Sequence, residues 1–345
     1  MNVYFFHHDV YEKRYNCNQL SMDEWRAQGE PHPYMGVFLI IMGLMLQAVY
    51  LPFIITMLQP KFISTSCYKL MFFLGIMDFI QISGASLVTG YLTMQGAVFC
   101  THPNMSYIFG IIGLGAWCGS CVTCMILTIN RCIDVYFPQL SRVLFHGWRT
   151  WLWTIIPLSI VGWIIAFENT LCFNSRYLAW FFDPYFGMNS SLRQTENGLP
   201  IVYASQLHTI NNVSTVAILC TGNIVLCYYV FSASSSTAGS NSAKLKKQLV
   251  IQVCVISILE TFCSFIYAYM QFFYTPIWLI VAGSITYQVN CGMMALTYLF
   301  LNPTLRRAAF NLFSKCAKAA KISDMTASLF KTQESRNTNR TNTDA

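Results

Sequence analysis

Residues 105–130 read MSYIFGIIGLGAWCGSCVTCMILTIN, a run without Asp, Glu, Lys or Arg, and Arg131 follows at once. Hydrocarbon offers no partner to a backbone N–H or C=O, so such a run must satisfy both internally. As a helix rising 1.5 Å per residue it is long enough to cross a core of roughly 30 Å. Working outward, six more stretches have the same character: Tyr34 to Leu58, Tyr68 to Met94, Trp151 to Leu171, Leu207 to Phe231, Leu249 to Gln271 and Ile277 to Leu301. None alternates apolar and polar residues, which excludes a transmembrane barrel. With 55% hydrophobic and 10% charged residues, the 345-residue chain has too few charges to clothe a soluble globule. The expectation is an all-α membrane protein, a seven-transmembrane helix bundle with a short cytoplasmic amphipathic helix.

Lysine and arginine set its orientation. Sixteen lie in the segments on one side of the windows and five on the other, which predicts an extracellular N-terminus and a cytoplasmic C-terminus in a multi-pass plasma-membrane protein. The net charge of +7 follows from that bias, and no nucleic-acid partner is needed to explain it. The first 33 residues carry eight charges, so the first window reads as an uncleaved signal anchor rather than a signal peptide.

Four segments are expected: an extracellular N-terminal segment over 1–33, the bundle over 34–301, an amphipathic membrane-surface helix over 302–321 and a disordered cytoplasmic tail over 322–345. Asn302 suits the cap of the third segment and Pro303 its first helical position, with Leu305, Ala308, Ala309, Leu312, Phe313 and Cys316 forming one apolar stripe. Between the fifth and sixth windows, SASSSTAGSNSAKLKKQ reads as a flexible linker that turns basic at the membrane. The loop from Cys172 to Gln206 is extracellular on this topology and rich in aromatics, with Tyr177, Trp180, Phe181, Phe182, Tyr185 and Phe186.

Tyr15-Asn16-Cys17 with Glu24-Trp25, Ser66-Cys67-Tyr68-Lys69, Leu74-Gly75-Ile76-Met77-Asp78, GAVFCTHP over 96–103, Asn130-Arg131-Cys132, WFFDP over 180–184 and YLFLNP over 298–303 occur in an order and placement that resembles nematode serpentine chemoreceptors of class T. The resemblance implies a chemosensory G-protein-coupled receptor, perched in the membrane of sensory cilia, that binds an external small molecule and activates a heterotrimeric G protein. It further implies that Arg131, after Asn130, matches the arginine that meets the G protein. Asp78 resembles the sodium-binding aspartate of rhodopsin-like receptors and serves as a switch, and Tyr298 matches the tyrosine of their seventh span. Three departures stand out: Asn130 replaces an acid, no acid lies near the cytoplasmic end of the sixth window to lock Arg131, and that window has no Trp or Pro, which leaves Phe262 or Phe265 in place of the usual tryptophan toggle. A snorkelling arginine at a helix end is the plainer account of Arg131.

Polar residues at membrane depth locate a ligand site. Ser257, Glu260, Thr261, Ser264 and Gln271 share one face of the sixth window, and His208, Asn211, Asn212 and Thr215 one face of the fifth. A carboxylate there costs several kcal/mol unless protonated, paired or wetted, so Glu260, His208, Asn211, Asn212 and Tyr287 are expected to line a ligand cavity, with helix–helix adhesion as the alternative role. Three of the fourteen cysteines, Cys17, Cys100 and Cys172, face the oxidising side. A Cys100–Cys172 disulfide is expected, with Cys17 joined to either as the alternative. Asn189 is the best-placed glycosylation sequon.

Other chemistries are tested by what is missing. The seventh window has no lysine for a retinal Schiff base, and the third has no acid to anchor a cationic amine. Cys118, Cys121 and Cys124 recur every third residue without an adjacent His or carboxylate, so no metal is expected. With no catalytic triad, phosphate loop or zinc-protease motif, neither an enzyme nor a cofactor is expected. A ligand-gated channel or transporter with seven spans is the alternative class. Insect-type odorant channels place the N-terminus inside, and no inverted repeat points to a transporter.

Overall fold

A computed structural model describes residues 1–196, 199–233 and 241–314 of the chain. The tail over 322–345, the end of the amphipathic segment with Cys316, the residues 234–240 of the basic loop and the side chains of Lys244 and Lys246 lie outside the described residues. Among the described residues, seven helices are long and apolar enough to cross a membrane. They are α1 (Pro33–Met57), α2 (Ser66–Met94), α3 (Pro103–Tyr136), α4 (Arg149–Phe167), α5 (Gln206–Ala233), α6 (Asn241–Phe272) and α7 (Ile277–Leu301). Helix α3 is the hub, packing on α2, α4, α5 and α6.

Three ends differ from the sequence expectation. Helix α6 begins at Asn241 rather than Leu249, so residues 241–248 of the stretch read as a flexible linker are helical. Helix α3 does not stop at Asn130 but runs on to Tyr136, because nothing in Arg131 to Val135 breaks a helix. It ends where Phe137 precedes Pro138, a position biased against helical backbone. Helix α4 ends at Phe167 rather than Leu171, with Glu168 extended (ψ 160°). Beyond it Thr170 gives its hydroxyl to the Tyr107 carbonyl on α3 (2.8 Å) and Asn169 its amide to the Tyr203 carbonyl before α5 (3.0 Å), so these side chains engage neighbouring segments instead of prolonging the helix.

Helices α1 and α2 meet through small residues. A side chain built at Gly36 would strike the backbone of Gly90, and one built at Gly43 would strike Ser86. Close approach of this kind supplies the packing that lipid, itself apolar, cannot drive. Within α2 the segment Ser83–Val88 is wound as a π-helix, with Gly84 and Ala85 inside it. Thr89 returns its hydroxyl to the freed Gly84 carbonyl (2.8 Å).

At the face of the bundle bearing residues 1–32, two short helices, His8–Arg14 and Met22–Ala27, form a cap. The second begins with a reciprocal Ser21–Glu24 capping box, and its Trp25 is buried, donating Nε1–H to the Cys17 carbonyl (2.8 Å). This anchorage places Cys17 against the head of α3, and the disulfide is Cys17–Cys100, with the Cα atoms 5.3 Å apart. The expected Cys100–Cys172 pairing is therefore corrected. Cys172 sits in the same cluster, buried and unpaired, as the first residue of a hairpin, β1 (Cys172–Asn174) and β2 (Ala179–Phe181), that turns through Leu178 at φ 52°.

On the opposite, basic face, Asn302 is fully buried and its side chain accepts from the Leu305 N–H (2.9 Å), capping a helix over 303–314. The same amide donates to Tyr68 (3.0 Å) and Gln252 (2.9 Å), tying α2, α6 and α7 together.

Candidate ligand cavity and the polar core beneath it

Below the hairpin lies a cavity of about 270 Å³. Its walls come from the π-segment of α2 (Gly84, Ala85), from α3 (Phe109, Gly113, Trp117), from the hairpin and the chain after it (Trp180, Phe181, Phe182, Phe186), and from α5, α6 and α7 (His208, Tyr267, Gln271, Tyr287, Gln288). Trp180 is pinned over it by Nε1–H donation to Thr89 (2.9 Å). Among the described residues, none that lines it is Asp, Glu, Lys or Arg. Glycine makes part of the volume, since a Cβ built on Gly84 or Gly113 meets nothing within 4 Å. π-turns recur at functional sites because they redirect side chains and free backbone groups, and here one presents only small residues to the space.

Trp117, Tyr267 and Tyr287 meet edge to face or tilted, with ring centroids 5.5–6.2 Å apart, and form the floor. Of the residues expected to line the cavity, His208 and Tyr287 do. Asn211, Asn212 and Glu260 do not, since Trp117 stands over Asn212, donating to its Oδ1 (3.0 Å), and the aromatic floor separates Glu260. Glu260 precedes Tyr267 by seven residues, about 10 Å along a helix. It is fully buried, accepting from Asn290 (2.7 Å) and from the Cys121 thiol (3.3 Å). The carboxylate that sequence spacing did not place beside the cysteine ladder thus arrives from α6.

Deeper still, Asp78 accepts from Tyr50 (2.6 Å), Ser120 (3.2 Å) and Gln81 (3.4 Å). Thr128 and Ser257 then join α3 to α6 (2.8 Å). Tyr298 is buried against Tyr50 and Phe53. Phe262 and Phe265 are more than half exposed on the outer surface of α6, so neither is a toggle; the aromatic centre of the bundle is Trp117, Tyr267 and Tyr287.

At the basic face Arg131 is only 3% exposed. It donates to Asn130 Oδ1 (2.6 and 3.1 Å), to Ser66 (3.3 Å) and to Asp134 (3.3 Å), whose other oxygen accepts from Ser141 (3.4 Å). Its guanidinium is turned into the bundle rather than out toward the interface. The acid that holds it is one turn after the arginine, on the same helix, where neither of the two places searched in the sequence would show it.

Asn189 is exposed, its Oδ1 accepting the Ser191 N–H (3.1 Å), whereas the sequon at Asn212 is fully buried.

Seven membrane-length helices enclosing a small cavity near one end and a buried arginine near the other are the plan of a seven-helix receptor, and the chain is a multi-pass membrane protein. The family described as serpentine type 7TM GPCR chemoreceptor Srt matches residues 1–322, and the chain belongs to that family. It is similar to Serpentine receptor class T-55 of Caenorhabditis elegans, with 25% identity over 311 residues that cover 89% of this chain and 82% of the relative.

Proposed function

We propose that the chain is a chemosensory receptor that binds an external small molecule in the cavity below the hairpin and activates a heterotrimeric G protein at its basic face. The observation that carries this reading is the placement of an uncharged, aromatic cavity directly above a polar core that runs down α3 and α6 to Arg131. The excess of lysine and arginine on the Arg131 side supports an N-terminus outside the plasma membrane, and membership in a chemoreceptor family supports a place in sensory cilia. Catalysis has no part in the proposal.

A ligand can shift a conformational equilibrium only by contacting its states differently. Tyr267 and Gln271 on α6 and Trp117 on α3 face the same cavity, so a molecule wedged between them favours one spacing of the two helices. Lower down, Cys121–Glu260 and Thr128–Ser257 clamp that spacing. Widening it would loosen both contacts and open the region around Arg131 to a partner. Asp78, held by three donors from α1, α2 and α3, is the switch residue of this path. The test is ligand-evoked G-protein activation in cells bearing wild-type or Arg131→Ala chain at matched surface levels. Loss of signalling with intact surface expression supports the proposal, and full signalling refutes the role of Arg131.

A further inference from the structure

Resting on the reading of the cavity as the ligand site, we infer that its ligand is an uncharged, mainly apolar molecule with a hydrogen-bond acceptor, a ketone or ester, and that Gln271 donates to that acceptor.

The proton positions along four side chains carry the inference. Trp117 Nε1 can only donate, and it lies 3.0 Å from the side-chain oxygen of Asn212, which also accepts from Asn211 (3.3 Å). The Asn212 amide is thereby oriented with its nitrogen toward His208 Nε2 (3.2 Å). Nε2 must then accept, and the ring proton of a neutral imidazole must sit on Nδ1. A doubly protonated ring would put a donor against a donor. His208 Nδ1 in turn lies 2.6 Å from the terminal amide of Gln271, at the end placed as nitrogen. Two donors cannot share that contact. A half-turn of the carboxamide exchanges oxygen and nitrogen without moving the group, so Gln271 Oε1 receives the His208 proton and the NH2 takes the opposite position. Gln271 lines the cavity and is exposed, so that NH2 is a fixed donor at the cavity wall.

Charge is excluded by the same walls. With no ionised lining residue, an ammonium or carboxylate would enter unpaired, at a desolvation cost no contact here offsets. The acids around the cavity are engaged: Asp183, next to Phe182, pairs with Arg193 (3.3 Å), and Glu260 and Asp78 below the aromatic floor accept from Asn290, Cys121, Tyr50 and Ser120. Gln288, buried at the wall, adds a carboxamide able to serve either role.

The experiment uses the full chain in lipid nanodiscs and four probes of one size: acetophenone, ethylbenzene, 1-phenylethylammonium and benzoate. Saturable binding is measured by saturation-transfer NMR on wild type, on Gly113→Leu and Gly84→Leu, which fill open space, and on Gln271→Leu. Acetophenone is expected to bind about tenfold more tightly than ethylbenzene, the worth of one good hydrogen bond. The two ions should not bind, either glycine variant should abolish binding, and Gln271→Leu should bring the ketone-to-hydrocarbon affinity ratio to about one. Equal affinity for ketone and hydrocarbon, or tighter binding of either ion, with glycine dependence intact, overturns the acceptor class and leaves the cavity as the ligand site. Binding that is absent, or unaffected by both glycine variants in monodisperse protein, overturns the cavity reading and this inference with it.

Discussion

Replacing Cys17 with serine removes the bond that fastens the N-terminal cap to α3. The loop it closes spans 83 residues of sequence, for which chain entropy alone gives about 4.5 kcal/mol. That figure assumes a free coil between the cysteines, whereas α1 and α2 remain helices in lipid even when the cap detaches. The free part is then residues 18–32, and a loop of that length corresponds to about 3 kcal/mol. Trp25, Tyr11 and Tyr15 still bury themselves against the bundle, so the cap opens more often rather than falling away. Hydrogen exchange by mass spectrometry reads that opening directly. The Tyr15 N–H, bonded to Tyr11, and the Trp25 N–H, bonded to Ser21, should exchange about a hundredfold faster in Cys17→Ser, the ratio that 3 kcal/mol implies. Cys172→Ser should change exchange little. Burial, and then the nearby charge of Asp183, pushes the Cys172 thiol well above its ordinary range, so it is a poor nucleophile toward the neighbouring disulfide. A Cys100–Cys172 peptide in the non-reduced digest, or faster exchange in Cys172→Ser with none in Cys17→Ser, would refute the reasoning.

Gly43→Leu, forced against Ser86 on α2, should cost about 1–3 kcal/mol and lower the thermal midpoint in detergent, while Gly113→Leu should leave that midpoint nearly unchanged. Glu260→Leu should destabilise the chain more than Glu260→Gln, because leucine leaves the buried Asn290 amide nitrogen without its acceptor, and ligand potency should shift more than surface expression in Glu260→Gln. Asn189→Gln should remove one glycan, seen as a mobility shift abolished by glycosidase, with no such shift for Asn212→Gln. In the capping box, the Ser21 hydroxyl and N–H hold the Glu24 carboxyl below its usual range, so this contribution is full above the unfolded pKa and is lost as pH falls through the folded one. Exchange at the Trp25 N–H should accelerate on acidification in wild type, and Ser21→Ala, which loses the hydroxyl but keeps the N–H donor (2.8 Å), should weaken that dependence.

The spans were readable because lipid imposes one strong rule, a long uncharged run, and the seventh even begins at Ile277 and ends at Leu301 as the hydropathy places it. Helix α3 overran its window since a helix leaving the membrane keeps no hydropathic mark, and only Pro138 signals its end. Polar stripes on α5 and α6 correctly point inward, but periodicity gives azimuth more readily than depth. It grouped Glu260 with Gln271, although three turns and an aromatic floor separate a buried clamp from a cavity wall. His208 and Tyr287 were legible as cavity residues, but the α2 and α3 walls escaped sequence reading because much of them is an absence of side chain, at Gly84 and Gly113, where glycine looks like a packing residue. Ser83-Gly84-Ala85-Ser86, four small residues in the middle of a span, was the available signal. Asp134 was equally hidden, since its meaning depends on α3 continuing beyond Arg131.

The central claim, that a small molecule acting in this cavity drives G-protein signalling, is tested most directly by calcium imaging of cells expressing the chain against a panel of uncharged ketones and esters. Wild type, Gly113→Leu and Arg131→Ala are compared at equal surface density. The account predicts dose-dependent responses in wild type and silence in both variants, the first because the space is filled and the second because the coupling arginine is gone. A Gly113→Leu response of unchanged potency would contradict it.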